Sequence, residues 1–364
     1  MTAMRVAITA IGMISSVGHD VATCCASIRA GIQRPNEISH FSLLDADEQE
    51  SKPLTGRPIQ GFTDGFAGAG LWRRMATACL QNLVADGGLP PVTDAAFWSR
   101  TALIAIAPNP DSGRFEDYED VPGQMFGGVL ITGVLRELGW MIPSSAVTTI
   151  PLGHAGAIEA IKLAFGKIAN GEVHRVIVVG ADSYLDPVTL DWLDGADRLK
   201  ADDNPFGLTP GEAGACFMIE SESAAQNRNA IVQAYMMAPA TALGASPLTP
   251  GGAVLGDTLA IVLKETLSGA GLALFSGVTI ADLNGEPWRA QQLGAARVLV
   301  GQLLNDTQFL FPCDSLGDVG SATGATSICV ATRAIKRGYA PNGQALVVCS
   351  SEEGHVGSVL VRQA

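Results

Sequence analysis

Charge is scarce in this chain. Only 16% of its 364 residues are Asp, Glu, Lys or Arg, and the acids outnumber the bases 36 to 23, for a net charge of −13. A surface with that balance repels phosphate backbones, so nucleic acid is excluded as an expected partner. Aromatic residues make up 6% and histidines number five. Apolar runs stay below the ~18 residues a membrane span needs, and Met4–Val17 reads as a strand and Gly-containing loop, so neither a leader nor a membrane helix is expected. Seven cysteines, at 24, 25, 79, 216, 313, 329 and 349, make an odd count without metal-site spacing. The adjacent Cys24–Cys25 pair cannot form an ordinary bridge. A reducing, cytoplasmic compartment is expected, with no disulfide framework. The acidic stretch Asp191–Asp203 lacks the ligand order of a calcium loop. No metal and no cofactor are expected.

What the chain has instead is small and apolar: 47% hydrophobic residues and 42 glycines. Arg5–Thr9 reads as a buried strand, Val21–Ala30 as a helix, Phe41–Gly70 as a long polar loop region, Arg74–Asp86 as a helix and Thr101–Ala107 as a buried strand. Ala146–Ile150, Leu152–Asn170 and Arg175–Val179 read as strand, helix, strand, the crossover unit of a parallel sheet. The layout recurs at Gln308–Phe311, Gly317–Lys336 and Ala345–Cys349. The turns before the two helices also match, Pro151-Leu-Gly-His-Ala-Gly beside Ser315-Leu-Gly-Asp-Val-Gly. The recurrence predicts two similar halves, 1–225 and 226–364. Both helices are apolar on every side, which places them between sheets.

Several stretches resemble the β-ketoacyl synthase branch of the thiolase-like superfamily. The opening Arg5-Val-Ala-Ile-Thr-Ala-Ile-Gly-Met-Ile-Ser-Ser-Val-Gly is similar to its first strand and loop, and Arg74-Met-Ala…Gly88-Leu to its following helix. Pro205-Phe-Gly…Gly211-Glu-Ala-Gly-Ala and Gly354-His-Val-Gly resemble later motifs. The resemblance implies an α/β, five-layered αβαβα fold, each half with a mixed, mostly parallel sheet. It also implies a homodimer through the strand Ala146–Thr149, and thioester chemistry by a cysteine assisted by histidines.

The reactive residues of that chemistry do not fall where the resemblance puts them. Aligning Thr149-Ile-Pro-Leu-Gly-His with the nucleophile motif sets Pro151 in the cysteine slot, or Ile150 with a shift of one; neither can attack an acyl group, although proline suits a first helical turn. Ile280-Ala-Asp-Leu-Asn-Gly-Glu-Pro sets Glu286 in one histidine slot. Cys313-Asp-Ser-Leu-Gly-Asp sets Cys313 in a lysine slot and Asp318 in the other histidine slot. Carboxylates there oppose the negative charge that the histidines stabilise. A ketosynthase homologue without condensing activity is therefore expected, acting as an adaptor or a chain-length-factor-like partner of a ketosynthase or of a secretion-related protein.

Two other readings stay open. Cys349, which ends a strand near His355, offers a nucleophile pair for an acyltransferase or hydrolase. The scaffold alternatively binds an acyl chain or acyl-CoA without chemistry. Acyl carrier protein is disfavoured on charge, unless Arg333, Lys336 and Arg337 lie beside the pocket. His154 is a candidate displaced base, and Glu286 with Asp318 a candidate carboxylate pair.

Overall fold

Ten of the eleven residues of the first strand, β1 (Arg5–Ser15), are buried, so the polar–apolar alternation of a half-exposed strand is missing and both faces are covered. The structure is a computed structural model describing residues 5–45, 50–110, 112–115, 130–249, 254–304 and 307–364. After β1 come helix α1 (Val21–Arg29), a hairpin of β2 (Asn36–Asp45) and β3 (Glu50–Gly56), α2 (Gly68–Gly87), β4 (Thr101–Ile106), α3 (Ile131–Leu138), β5 (Val147–Ile150), α4 (Gly156–Ala169), β6 (Arg175–Ser183), α5 (Pro187–Gly195) and β7 (Glu212–Glu220). The chain continues through β8 (Ala234–Leu243), α6 (Asp257–Gly269), β9 (Val278–Ala281), α7 (Pro287–Val300), β10 (Gln308–Leu310), α8 (Thr323–Lys336), β11 (Gln344–Ser350) and β12 (His355–Arg362).

The main sheet runs β10-β9-β11-β12-β8-β1-β7-β6-β4-β5. Read outward from the middle, β1-β7-β6-β4-β5 and β8-β12-β11-β9-β10 have the same order and the same strand directions. In each set two neighbouring pairings are parallel and two antiparallel, and four of the five strands run in the same direction, so each set is a mixed, mostly parallel array as expected. The two sets are not separate sheets. Arg5, Val6, Ala7 and Ile8 of β1 pair with Met237, Met236, Tyr235 and Ala234 of β8, joining them into one ladder.

Alternating side chains sort the core into layers. In β7, Ala213, Ala215, Phe217 and Ile219 face a central apolar cluster, whereas Cys216 and Met218 face an outer one. The central cluster holds α4 and α8 between the two strand sets. Helices α2 and α3 cover the outer face of the first set, and α6 and α7 that of the second. The order helix, sheet, helix, sheet, helix is the five-layered α/β arrangement expected from the sequence. Sandwiched helices need small residues where backbones approach: a Cβ at Gly180 of β6 would lie 2.7 Å from the Ser321 carbonyl oxygen.

Part of the region expected as a long loop is in regular structure. Strands β2 and β3 take up residues 41–45 and 50–56 of it, and α2 starts six residues earlier than the periodicity indicates. The polar hairpin buries only Ile38 and Leu54 against Tyr184, Leu185, Leu190 and Leu193, too few apolar positions to mark it in the sequence.

Candidate functional site

The strands β5 and β10 and the helices α4 and α8 that follow them bring two equivalent turns together at the centre of the molecule. Leu152 (φ −120°, ψ 18°) and Val319 (φ −115°, ψ 22°) have nearly the same backbone conformation. Gly153 and Gly320 follow with φ of +54° and +50°, a region that favours glycine. Each turn then makes a short 3₁₀ segment and enters its helix. The structural equivalence differs by three residues from the one the sequence implied. Gly153 matches Gly320 rather than Gly317, so Pro151 is the counterpart of Asp318.

Pro151 is exposed at the end of β5 and does not point into the interior. His154, three residues on, is buried and does. Its Nε2 lies 2.8 Å from Asp318 Oδ1, which links the starts of α4 and α8. Asp318 is fully buried and receives further bonds from Asn284 Nδ2 at 2.6 Å and the Gly320 N–H at 2.9 Å. Burial pushes the Asp318 carboxyl up, but His154, Arg289 and Asn284 outweigh it and hold it well below the ordinary range. Burial pulls His154 down, and Asp318 more than reverses this, leaving the imidazole above its usual value.

Glu286 does not pair with Asp318 by sharing a proton. Asn284 stands between them, its Nδ2 donating to Glu286 Oε2 at 2.9 Å as well as to Asp318. Arg198 forks onto Glu286 at 2.7 and 3.1 Å and donates to Glu352 Oε1 at 2.6 Å. Burial raises the Glu286 carboxyl, yet Arg198 brings it below its normal value. Beneath them Arg289 Nη1 donates to Asp282 Oδ2 at 2.8 Å and to the Ser350 carbonyl at 2.6 Å. On the other side Asp182 takes bonds from Arg114, from Trp72 Nε1 and from the Ser321 N–H. The expected reversal of charge by two acids is thus corrected: guanidinium groups reach in from distant segments and neutralise them. Sequence reasoning missed Arg114, Arg198, Asn284 and Arg289, because an arginine far along the chain carries no local mark of the carboxylate it will meet.

Cys313 and Cys349 lie inside the protein. Both thiols are buried and pushed up, first by burial, then by Asp318 at Cys313 and Asp282 at Cys349. His355 begins β12, and its buried Nδ1 has no hydrogen-bond partner. The suggested Cys349–His355 pair is not formed by any hydrogen bond. Among the described residues no group of three or more His, Cys, Asp or Glu is arranged to hold a metal ion. No described helix is long and apolar enough to cross a membrane. Arg333, Lys336 and Arg337 lie at the far end of α8, roughly 20 Å of helix away from the turn at Gly320, and so not beside this site.

The cavity left at the turns is about 20 Å³, bounded by His154, Asp182, Tyr184, Ser321, Glu352 and Glu353. That is room for one water.

No family model matches the chain. It is 23% identical over 292 residues to the tetracenomycin polyketide synthase ketoacyl synthase alpha subunit of Streptomyces glaucescens, a match covering 72% of this chain and 68% of that one. Among solved structures it resembles the ishigamide ketosynthase/chain length factor, with a TM-score of 0.76, 19% identity and full coverage of both chains. It also resembles a type II polyketide synthase ketosynthase complex with its acyl-carrier protein, with a TM-score of 0.76, 14% identity and full coverage of both chains.

Proposed function

From the premise that this is a β-ketoacyl synthase-like chain of thiolase-like fold, we propose that it does no condensation and serves as a protein partner in acyl processing, in the manner of a chain-length-factor subunit or adaptor. The observation that carries this is the filled site: a cavity of about 20 Å³ where two crossover helices begin. Proline at position 151 and the salt-bridged acids Glu286 and Asp318 support the same reading. The likeness to a ketosynthase/chain length factor structure supports the kind of partner.

The surface for pairing is β5. Among the described residues it ends the sheet, with Val147, Thr148 and Thr149 only half-buried and one side of its backbone unpaired. Such an edge suits a homodimer or a heterodimer with an active ketosynthase. The acyl-binding reading loses support from the small size of the cavity among the described residues at the turns, and the Cys349 reading from the buried, raised thiol.

The test is intact-mass analysis after incubation with octanoyl-CoA, together with a malonyl-CoA decarboxylation assay. We expect no covalent adduct and no decarboxylation above background. An adduct that disappears in Cys349→Ser would establish the acyltransferase reading instead. Sedimentation of the protein alone and mixed with an active ketosynthase reads which pairing β5 makes.

A further inference from the structure

The bases of this acidic chain gather at one place on its surface. At the end of α8 remote from the central turns, Arg333 and Arg337 stand one helical turn apart, and Tyr339 follows two residues on. Helix α1 packs against α8 and ends at Arg29, whose guanidinium lies 4.2 Å from the centre of the Tyr339 ring. The three arginines and the tyrosine border a cleft of about 620 Å³, within the range of small-molecule sites. Its bed is the exposed face of α1 formed by Ala22, Ala26 and Ala30, side chains too small to fill the space.

No acid lines the cleft. Among the described residues none of the three guanidiniums forms an ion pair. Asp20 is near enough for Arg333 to lower its carboxyl, but both of its oxygens cap α1, accepting from the Thr23 N–H at 2.9 Å and the Thr23 hydroxyl at 2.8 Å. Lys336 reaches elsewhere, to Gln233 Oε1 at 3.1 Å and Asp86 Oδ1 at 3.8 Å. Helix C-termini draw cations to their carbonyls, which accounts for a basic residue in the last turn of α1 and of α8. It does not account for three like charges on one cleft with no acid on its walls. In a chain of net charge −13 the cleft is a local reversal of sign, and a concave site of one sign focuses its field on an entering anion.

We propose that this cleft binds a small ligand through a phosphate or diphosphate group. The guanidiniums supply only donors, and three positive charges suit a dianion or trianion better than a monocarboxylate. Arg29 and Arg337 are exposed and Arg333 half-buried, so the anion reaches them without entering the core. The alanine bed leaves room for the body that carries the phosphate. The inference is independent of the function proposed above, since the cleft lies roughly 20 Å of helix away from the turn at Gly320.

The experiment is calorimetric titration and thermal unfolding of the wild type, Arg29→Gln, Arg333→Gln, Arg337→Gln and Lys336→Gln with sodium pyrophosphate, and with sodium citrate in parallel. All four positions are at least partly exposed, so the variants are expected to fold. Pyrophosphate is expected to bind the wild type at one site and raise its Tm, and to bind each arginine variant about tenfold more weakly. Lys336→Gln is expected to bind nearly as tightly as the wild type, because exposed charges outside the cleft are screened. Absence of pyrophosphate binding by the wild type overturns the proposal. So does an equal loss in Lys336→Gln and the arginine variants, which would show diffuse attraction by charge and no site. Binding of citrate as tight as that of pyrophosphate overturns the phosphate assignment.

Discussion

His154 Nε2 and Asp318 Oδ1 lie 2.8 Å apart, and this one contact ties together the first turns of two helices that begin 167 positions apart, at residues 156 and 323. The pair is buried, and Asp318 makes three further hydrogen bonds or charge contacts through Asn284, Gly320 and Arg289. Removing the carboxylate leaves an imidazole and an amide N–H without their acceptor. Asp318→Ala is therefore expected to lose about 3–5 kcal/mol in chemical denaturation, with no change in the slope against denaturant.

The same pair predicts a pH dependence of stability. The folded-state pKa of His154 is raised, so its contribution is complete below the unfolded value of about 6.5 and is lost as pH rises through the folded value. The folded-state pKa of Asp318 is lowered, so its contribution is complete above about 3.9 and fades as pH falls towards the folded value. Unfolding free energy is expected to be flat between those limits and to decline on the alkaline side. In His154→Gln the histidine part of that decline should be absent, which denaturation series from pH 5 to 9 will read.

Placing sulfur at the position that the resemblance assigns to the nucleophile is not expected to bring condensation. Pro151→Cys places a thiol at an exposed point, while the cavity and ion pairs behind it are unchanged. Thiol titration under native conditions should show one reactive group in the variant and none in the wild type, whose seven cysteines are all buried. Condensation should stay at background in both. A condensation rate well above background in the variant would mean that the site opens to substrate.

Arg198 serves two acids, and its loss should cost more than the loss of either acid with it. Arg198→Met leaves Glu352 without its ion-pair partner and Glu286 with only Asn284 and the more distant Arg289, an expected loss of about 3–5 kcal/mol. The triple variant Arg198→Met, Glu286→Gln, Glu352→Gln should recover a large part of that loss. Equal stabilities for the single and triple variants would show that the ions do not act as a unit.

Much of the scaffold is legible in the chain. The Val- and Ile-rich runs at 175–179 and 345–349 read as strands because both of their faces are apolar, and the all-apolar helices between turns read as sandwiched. The repeated turn is visible too, but its register is not. The Leu-Gly dipeptides at 152–153 and 316–317 suggest one alignment, whereas the left-handed glycines 153 and 320 define another. Of the residues singled out in the sequence, Glu286, Asp318 and His154 meet in the structure, whereas Pro151 stays at the surface. Arg198 and Arg289 are not among the residues singled out, since nothing around residue 198 announces a carboxylate at 286 or 352.

The four residue pairs between β1 and β8 have a consequence for how the molecule comes apart. With the strand sets stitched edge to edge and clasping the same two helices, neither has an apolar face that remains satisfied once the other melts. Scanning calorimetry should accordingly record a single endotherm whose van't Hoff and calorimetric enthalpies agree.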